Sequence, residues 1–216
     1  MKKYKLTKET KDYFGTTLYQ IEAIKDFGNI SKGDRGGWIE KEDNLNQNGN
    51  AWVSGDAGVY GNAKVYGNAE VYGNVKVSGN AWVYGDAEVY GNAWVYGNAK
   101  VSGDAEVYGN AWVYGNAKVS GNAWVSSNAW VSGNAKVSGG AWVSGNAKVS
   151  GKLKITAGFF FGMRFDKEEI KYKENEGQEL IYKGNAKFGE SADEEVENAI
   201  KLLEEKGRLK DGKILD

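Results

Sequence analysis

From residue 51 to residue 152, apolar and polar positions recur with a period of six. Each unit reads small, variable, Val, Tyr or Ser, Gly, Asn or Asp, from Ala51-Trp52-Val53-Ser54-Gly55-Asp56 to Ala147-Lys148-Val149-Ser150-Gly151-Lys152. The third position is Val in all 17 units, and the first is Ala in every unit except that of Val75. Along Ala-x-Val, strand alternation sends Ala and Val to one face and the variable residue to the other. The following Gly-Asn supplies a corner, because Gly adopts positive φ freely and Asn tolerates it better than most residues. The pattern predicts one short strand and one corner every six residues, stacked into a repeat array.

The flanks are less regular. Tyr4–Thr7 and Thr17–Ile24 read as two strands with Gly15 at the turn, and residues 1–44 as a β cap over an otherwise bare first coil. Leu45 to Asn50 looks like a degraded first unit. Beyond residue 157, the run Gly158-Phe159-Phe160-Phe161-Gly162-Met163-Arg164-Phe165 is expected to plug the last coil. Strands are expected at Glu169–Lys173 and Glu179–Tyr182, with an echo of the repeat at Gly184–Phe188. A helix is expected over about 191–206, opened by a Ser191/Glu194 capping box and closed at Gly207.

Val53 followed four residues later by Ala57, and Val95 by Ala99, resembles the left-handed parallel β-helix of hexapeptide-repeat proteins. That resemblance implies three units per triangular coil, hence five to six coils and a prism about 27 Å tall at ~4.8 Å per layer. The expected architecture is mainly β: an N-terminal β cap (1–44), a hexapeptide-repeat solenoid (45–157) and a C-terminal α+β cap (158–216).

With three units per coil, every third unit stacks, and the variable positions sort into three unlike faces. One reads Trp52, Glu70, Glu88, Glu106, Trp124, Trp142, with Tyr72, Tyr90 and Tyr108 alongside. The second reads Gly58, Lys76, Trp94, Trp112, Trp130, Lys148, with Tyr96 and Tyr114 alongside. The third reads Lys64, Trp82, Lys100, Lys118, Lys136. Seven of the eight Trp residues are thus expected on the exterior. The aromatic strip of Trp94, Trp112, Trp130, Tyr96 and Tyr114 is the first candidate interaction face, exceeding what monomers usually expose. The Glu70/Glu88/Glu106 and Lys100/Lys118/Lys136 columns are secondary candidates, because like charges one layer apart are unfavourable. Self-association as a dimer or trimer, a partner surface, and plain cross-strand packing all remain open for the aromatic strip.

Composition removes several chemistries. The chain has neither Cys nor His, which excludes thiolate nucleophiles, Zn–S sites and an imidazole base. Acyltransferases built on this repeat use such an imidazole, and γ-type carbonic anhydrases hold zinc through His, so the expectation is a non-enzyme without cofactor or metal. Net charge is −1, and three lysines without arginine give little signal for nucleic acid. No stretch approaches the ~18 apolar residues of a membrane span, and the N-terminus lacks an apolar signal region. A cytoplasmic protein is expected.

The cap and first units, Tyr4-Lys5-Leu6-Thr7, Leu18 to Gly28, Lys32-Gly33-Asp34-Arg35-Gly36-Gly37-Trp38-Ile39-Glu40, Asn44-Leu45 and Gly49 to Val53, are similar to the head of hexapeptide-repeat proteins encoded by temperate phages and prophages. This resemblance implies a phage accessory or structural protein acting by protein–protein contact, with an inhibitor of a host defence such as CRISPR as one form. The alternative is a virion- or tail-associated structural or carbohydrate-binding module. Ice binding is a weaker third, since the outward rows lack Thr.

Overall fold

The computed structural model describes residues 2–162, together with 209–210 and 213–214. The chain divides into two compact units, Met1–Tyr182 and Lys183–Asp216. In the second, Leu209–Lys210 pairs antiparallel with Lys213–Ile214. The strands and helix expected between residues 163 and 208 lie outside the described residues.

The first unit is a parallel β-solenoid. Each Ala-x-Val contributes a short strand, and the strands of successive coils pair in register, as in Trp94↔Trp112, Val95↔Val113. Three sheets result, one per face. Inside, the Val and Ala positions from Ala51 to Val149 are buried, most of them completely. Beside the paired residues and at the corners, N–H groups of one coil donate to carbonyls of the next, as in Trp94 N to Ala111 O (2.9 Å) and Asn98 N to Gly115 O (2.7 Å).

Corners need Gly for two reasons. Gly97 has φ +72°, and a Cβ there would lie 3.0 Å from Gly115 N. Ser127 alone replaces Gly at a corner of the array, and its φ is +58°. Beside the glycines, asparagine side chains form two continuous ladders. In one, Nδ2 of Asn62, Asn80, Asn98 and Asn116 each donates to Oδ1 of the corresponding Asn on the next coil (2.9–3.2 Å). The other runs from Asn74 through Asn92, Asn110 and Asn128 to Asn146. At the third corner Asn68 donates to Asp86 (2.9 Å). The next residue up is Asp104, which as a carboxylate has no proton to pass on.

The solenoid has about seven turns rather than five to six, because degenerate units extend it at both ends. The strand β3 (Arg35–Ile39) pairs parallel with Gly58–Val59, and Leu45 bridges to Val65. At the far end Lys154–Ile155 pairs with Lys136–Val137, and Phe159–Gly162 with Trp142–Gly145. The expected phenylalanine plug is therefore a further strand. Phe160 packs against the core, whereas Phe159 and Phe161 are exposed.

The cap strands β1 (Tyr4–Tyr13) and β2 (Thr16–Ala23) form an antiparallel hairpin through Phe14 and Gly15, both at positive φ. That is the geometry of a two-residue primed turn. β2 also pairs antiparallel with β3, so cap and coils share one sheet. Gly36 lets β3 lie close to the first coil; a Cβ there would meet Ile21 and Trp52 at 2.4 and 2.6 Å.

Backbone N–H groups of the degenerate units serve only some of the first coil's carbonyls from beneath, as in Trp38 N to Ala57 O and Asn46 N to Val65 O (both 2.9 Å). Two side chains substitute. Lys3 Nζ donates to Ala51 O (2.7 Å) and Gly49 O (3.1 Å), and Asn44 Nδ2 to Ala63 O (2.9 Å) and Gly61 O (3.2 Å). Tyr4, fully buried, shares its one hydroxyl proton between Leu45 O (2.7 Å) and Glu42 O (2.9 Å). Buried carbonyls are costly to leave unmatched, so these contacts finish the open end.

Candidate functional site

The pairing register shows which outward residues share a face. Glu70, Glu88 and Glu106 are consecutive on one, Trp94, Trp112 and Trp130 on the second, and Lys100, Lys118 and Lys136 on the third. Trp52 is the exception to the exterior reading. It is buried under the cap, edge-on to Phe27 (5.4 Å) and Tyr4 (6.4 Å).

The Trp94–Trp112–Trp130 indoles stack nearly parallel, with centroids 5.4 and 5.3 Å apart and interplanar angles of 12° and 13°. Lys148 Nζ lies 4.6 Å from the Trp130 ring centre, covering the top of the stack. Tyr96 and Tyr114 stack on each other (5.1 Å). Each also meets a Trp of the next coil edge-on, Tyr96 with Trp112 and Tyr114 with Trp130. All five residues are half-buried. The facing ring surfaces within each stack are used internally, and along the column the ring edges are what it presents.

The acidic face is compensated at two of its three glutamates. Tyr72 donates its hydroxyl to Glu88 Oε2 (3.0 Å), and Tyr90 to Glu106 Oε2 (2.9 Å), while Tyr72, Tyr90 and Tyr108 stack at 5.0 and 4.9 Å. Desolvation first, and the carboxylate bond second, push the Tyr72 and Tyr90 phenols well above the usual range. The i, i+16 offset behind these pairs was the missed signal. It arises because the fourth residue of one unit leans toward the second residue of the unit one coil on. Trp142 Nε1 to Ser126 Oγ (3.2 Å) and the Tyr66–Trp82 edge contact (6.1 Å) repeat it.

The lysine face is different. Its column extends one residue further than the repeat suggested, to Lys154. Lys118, Lys136 and Lys154 are exposed, and the matching positions one coil earlier are Ser102, Ser120 and Ser138 rather than Tyr. Two like charges ~5 Å apart in water repel by about 0.8 kcal/mol before salt screening. No ion pair involves these lysines among the described residues. Lys100 does have a neighbour, the Trp82 ring at 4.3 Å.

A hollow beneath the cap is lined by Asp34, Arg35, Asn50, Ser54, Asn68 and Glu70. Arg35 is already engaged there, donating to Gln20 Oε1 (2.9 Å) and pairing with Glu22 (3.7 Å). No group of three His, Cys, Asp or Glu side chains is arranged to hold a metal ion among the described residues. No helix among them is long and apolar enough to cross a membrane.

No protein-family model matches the chain. Among curated proteins it is similar to the uncharacterized acetyltransferase YdcK of Escherichia coli strain K12, 41% identical over 61 residues. The match covers 24% of this chain and 19% of that protein, so the chain spans about a fifth of the relative's length.

Proposed function

We propose that the protein acts by binding another protein surface, through the strip of Trp94, Trp112, Trp130, Tyr96 and Tyr114. The stack itself carries this reading. Five aromatic rings are held half-exposed on a rigid β scaffold, their edges forming a flat apolar ribbon of the kind enriched at protein interfaces. A sugar ring stacks on an open aromatic face, and here the faces within the stacks are occupied by neighbours, which favours a protein partner over a carbohydrate. The partner is a second copy of the chain or, following the resemblance to prophage proteins, a host protein such as a defence component. Sedimentation tests the first. Wild type should run above 23.6 kDa and Trp112→Lys at the monomer mass, in a column that already accommodates Lys76 and Lys148. Equal masses would remove self-association and leave the host protein, tested by whether Trp112→Lys abolishes capture of the same host band.

A second reading rests on the likeness to YdcK: acyl transfer by a solenoid lacking an imidazole base. Calorimetric titration with acetyl-CoA, with thiol release measured in the presence of a primary amine or hydroxyl compound to accept the acetyl group, distinguishes it. Saturable binding with turnover would put catalysis ahead of binding; a flat titration up to millimolar ligand would remove it.

A further inference from the structure

Charge is segregated along the solenoid. Residues 51–106 carry six Asp or Glu against three Lys, whereas residues 107–162 carry five Lys and no acidic residue. Net charge over the whole chain conceals this. On the lysine face the segregation becomes a track: Lys100, Lys118, Lys136 and Lys154 are consecutive in one parallel sheet. The acidic column and this one are built to opposite rules. Glu88 and Glu106 each receive a tyrosine hydroxyl, while Ser102, Ser120 and Ser138 leave the neighbouring ammonium groups open to solvent. Those serines add a parallel row of small hydrogen-bond donors.

We propose that this track binds the phosphodiester backbone of a single strand of nucleic acid, laid along the solenoid axis and read without regard to base sequence. Four lysines across three coil spacings span about 14 Å, the reach of two to three phosphates of an extended strand. Trp82, one coil below the track, already has Lys100 over its ring, so the contact is to backbone charge and not to stacked bases. The surface is distinct from the tryptophan strip, so a protein partner and a strand can be held together.

The test is fluorescence anisotropy of a labelled 20-nucleotide mixed-sequence single strand with the full chain, from 25 to 200 mM NaCl. Binding should be sequence-independent and fall with salt at a slope of about −2 to −3 in log K against log [NaCl], near 0.7 per lysine engaged. Lys118→Gln/Lys136→Gln should reduce the slope by about 1.4 and the affinity at 50 mM NaCl by at least tenfold. Circular dichroism checks that the double variant is folded, and Lys5→Gln, on the cap, should bind as wild type. Absence of binding at 25 mM NaCl, wild-type binding by the double variant, or tighter binding of a sulfated polysaccharide that displaces the strand would each overturn the proposal.

Discussion

Gly97→Ala is expected to destabilise the solenoid by about 3 kcal/mol. Two terms add. An L-residue at φ +72° costs roughly 1–2 kcal/mol relative to glycine. The new methyl would also sit 3.0 Å from Gly115 N and 3.1 Å from Gly115 O, backbone atoms that cannot swing away. Relieving that contact requires the coils to separate locally, which stretches the Asn98 N to Gly115 O bond (2.7 Å) and the Asn98–Asn116 side-chain bond (2.9 Å). Urea unfolding monitored by tryptophan fluorescence measures the loss, with Ser127→Gly as the counterpart. That substitution removes the array's one strained non-glycine corner and should gain about 0.5–1 kcal/mol. A Gly97→Ala variant as stable as wild type would mean that the corners are not close-packed.

The second large effect is a stability maximum on the alkaline side, near pH 10. Lys3 is buried, and desolvation first and the Lys25 charge second lower its pKa to about 8. Between pH 8 and about 10.5 the unfolded chain keeps this proton while the folded chain has released it. Stability therefore rises with pH across that window. The shift corresponds to about 3 kcal/mol at most, and to about 2 kcal/mol after allowing for solvent screening at the solenoid rim. Above pH 10 the tyrosines act in the opposite direction. Tyr72 and Tyr90 hold their protons more tightly folded than unfolded, so their stabilisation is present below pH 10 and lost as pH rises further. Denaturation at pH 7, 8, 9, 10 and 11 should trace a rise and then a fall. Lys3→Met should flatten the rise, and Tyr72→Phe/Tyr90→Phe should blunt the fall. A wild-type profile with no rise between pH 8 and 10 would contradict the burial of Lys3.

The interior and the face map were legible because both follow from one integer relation: three units of six close one coil. Val95 and Val113, or Lys100 and Lys118, meet for the same reason. The number of turns was not legible, because the terminal coils are built from Trp38-Ile39, Leu45 and Phe159-Phe160, which lack the Ala-x-Val-x-Gly-Asn frame. Their membership is fixed by the edge they cover. Trp52 is buried by Tyr4 and Phe27 of the cap, and Lys3 reaches carbonyls of Gly49 and Ala51. Both are contacts between segments remote in sequence, which local periodicity does not encode. The Tyr72–Glu88 bond needed the lean of one coil toward the next, and with it two of the three glutamates of the acidic column change from an unexplained cost to compensated positions.

The threefold equivalence of the interior has a consequence for how such a chain can vary in length. Every coil offers the same Val and Ala lining on all three sides, so removing a single hexapeptide, such as residues 99–104, leaves the inside matched and the fold intact. The outside would not survive that edit unchanged: everything above the cut would turn by a third of a revolution. Glu88 would then lie beneath Trp112, and Trp94 beneath Lys118. Removal or gain of three hexapeptides together returns every column to its place. Natural length variants that keep the surface chemistry should therefore differ by whole turns, and those that differ by one hexapeptide should be folded proteins with rearranged surfaces.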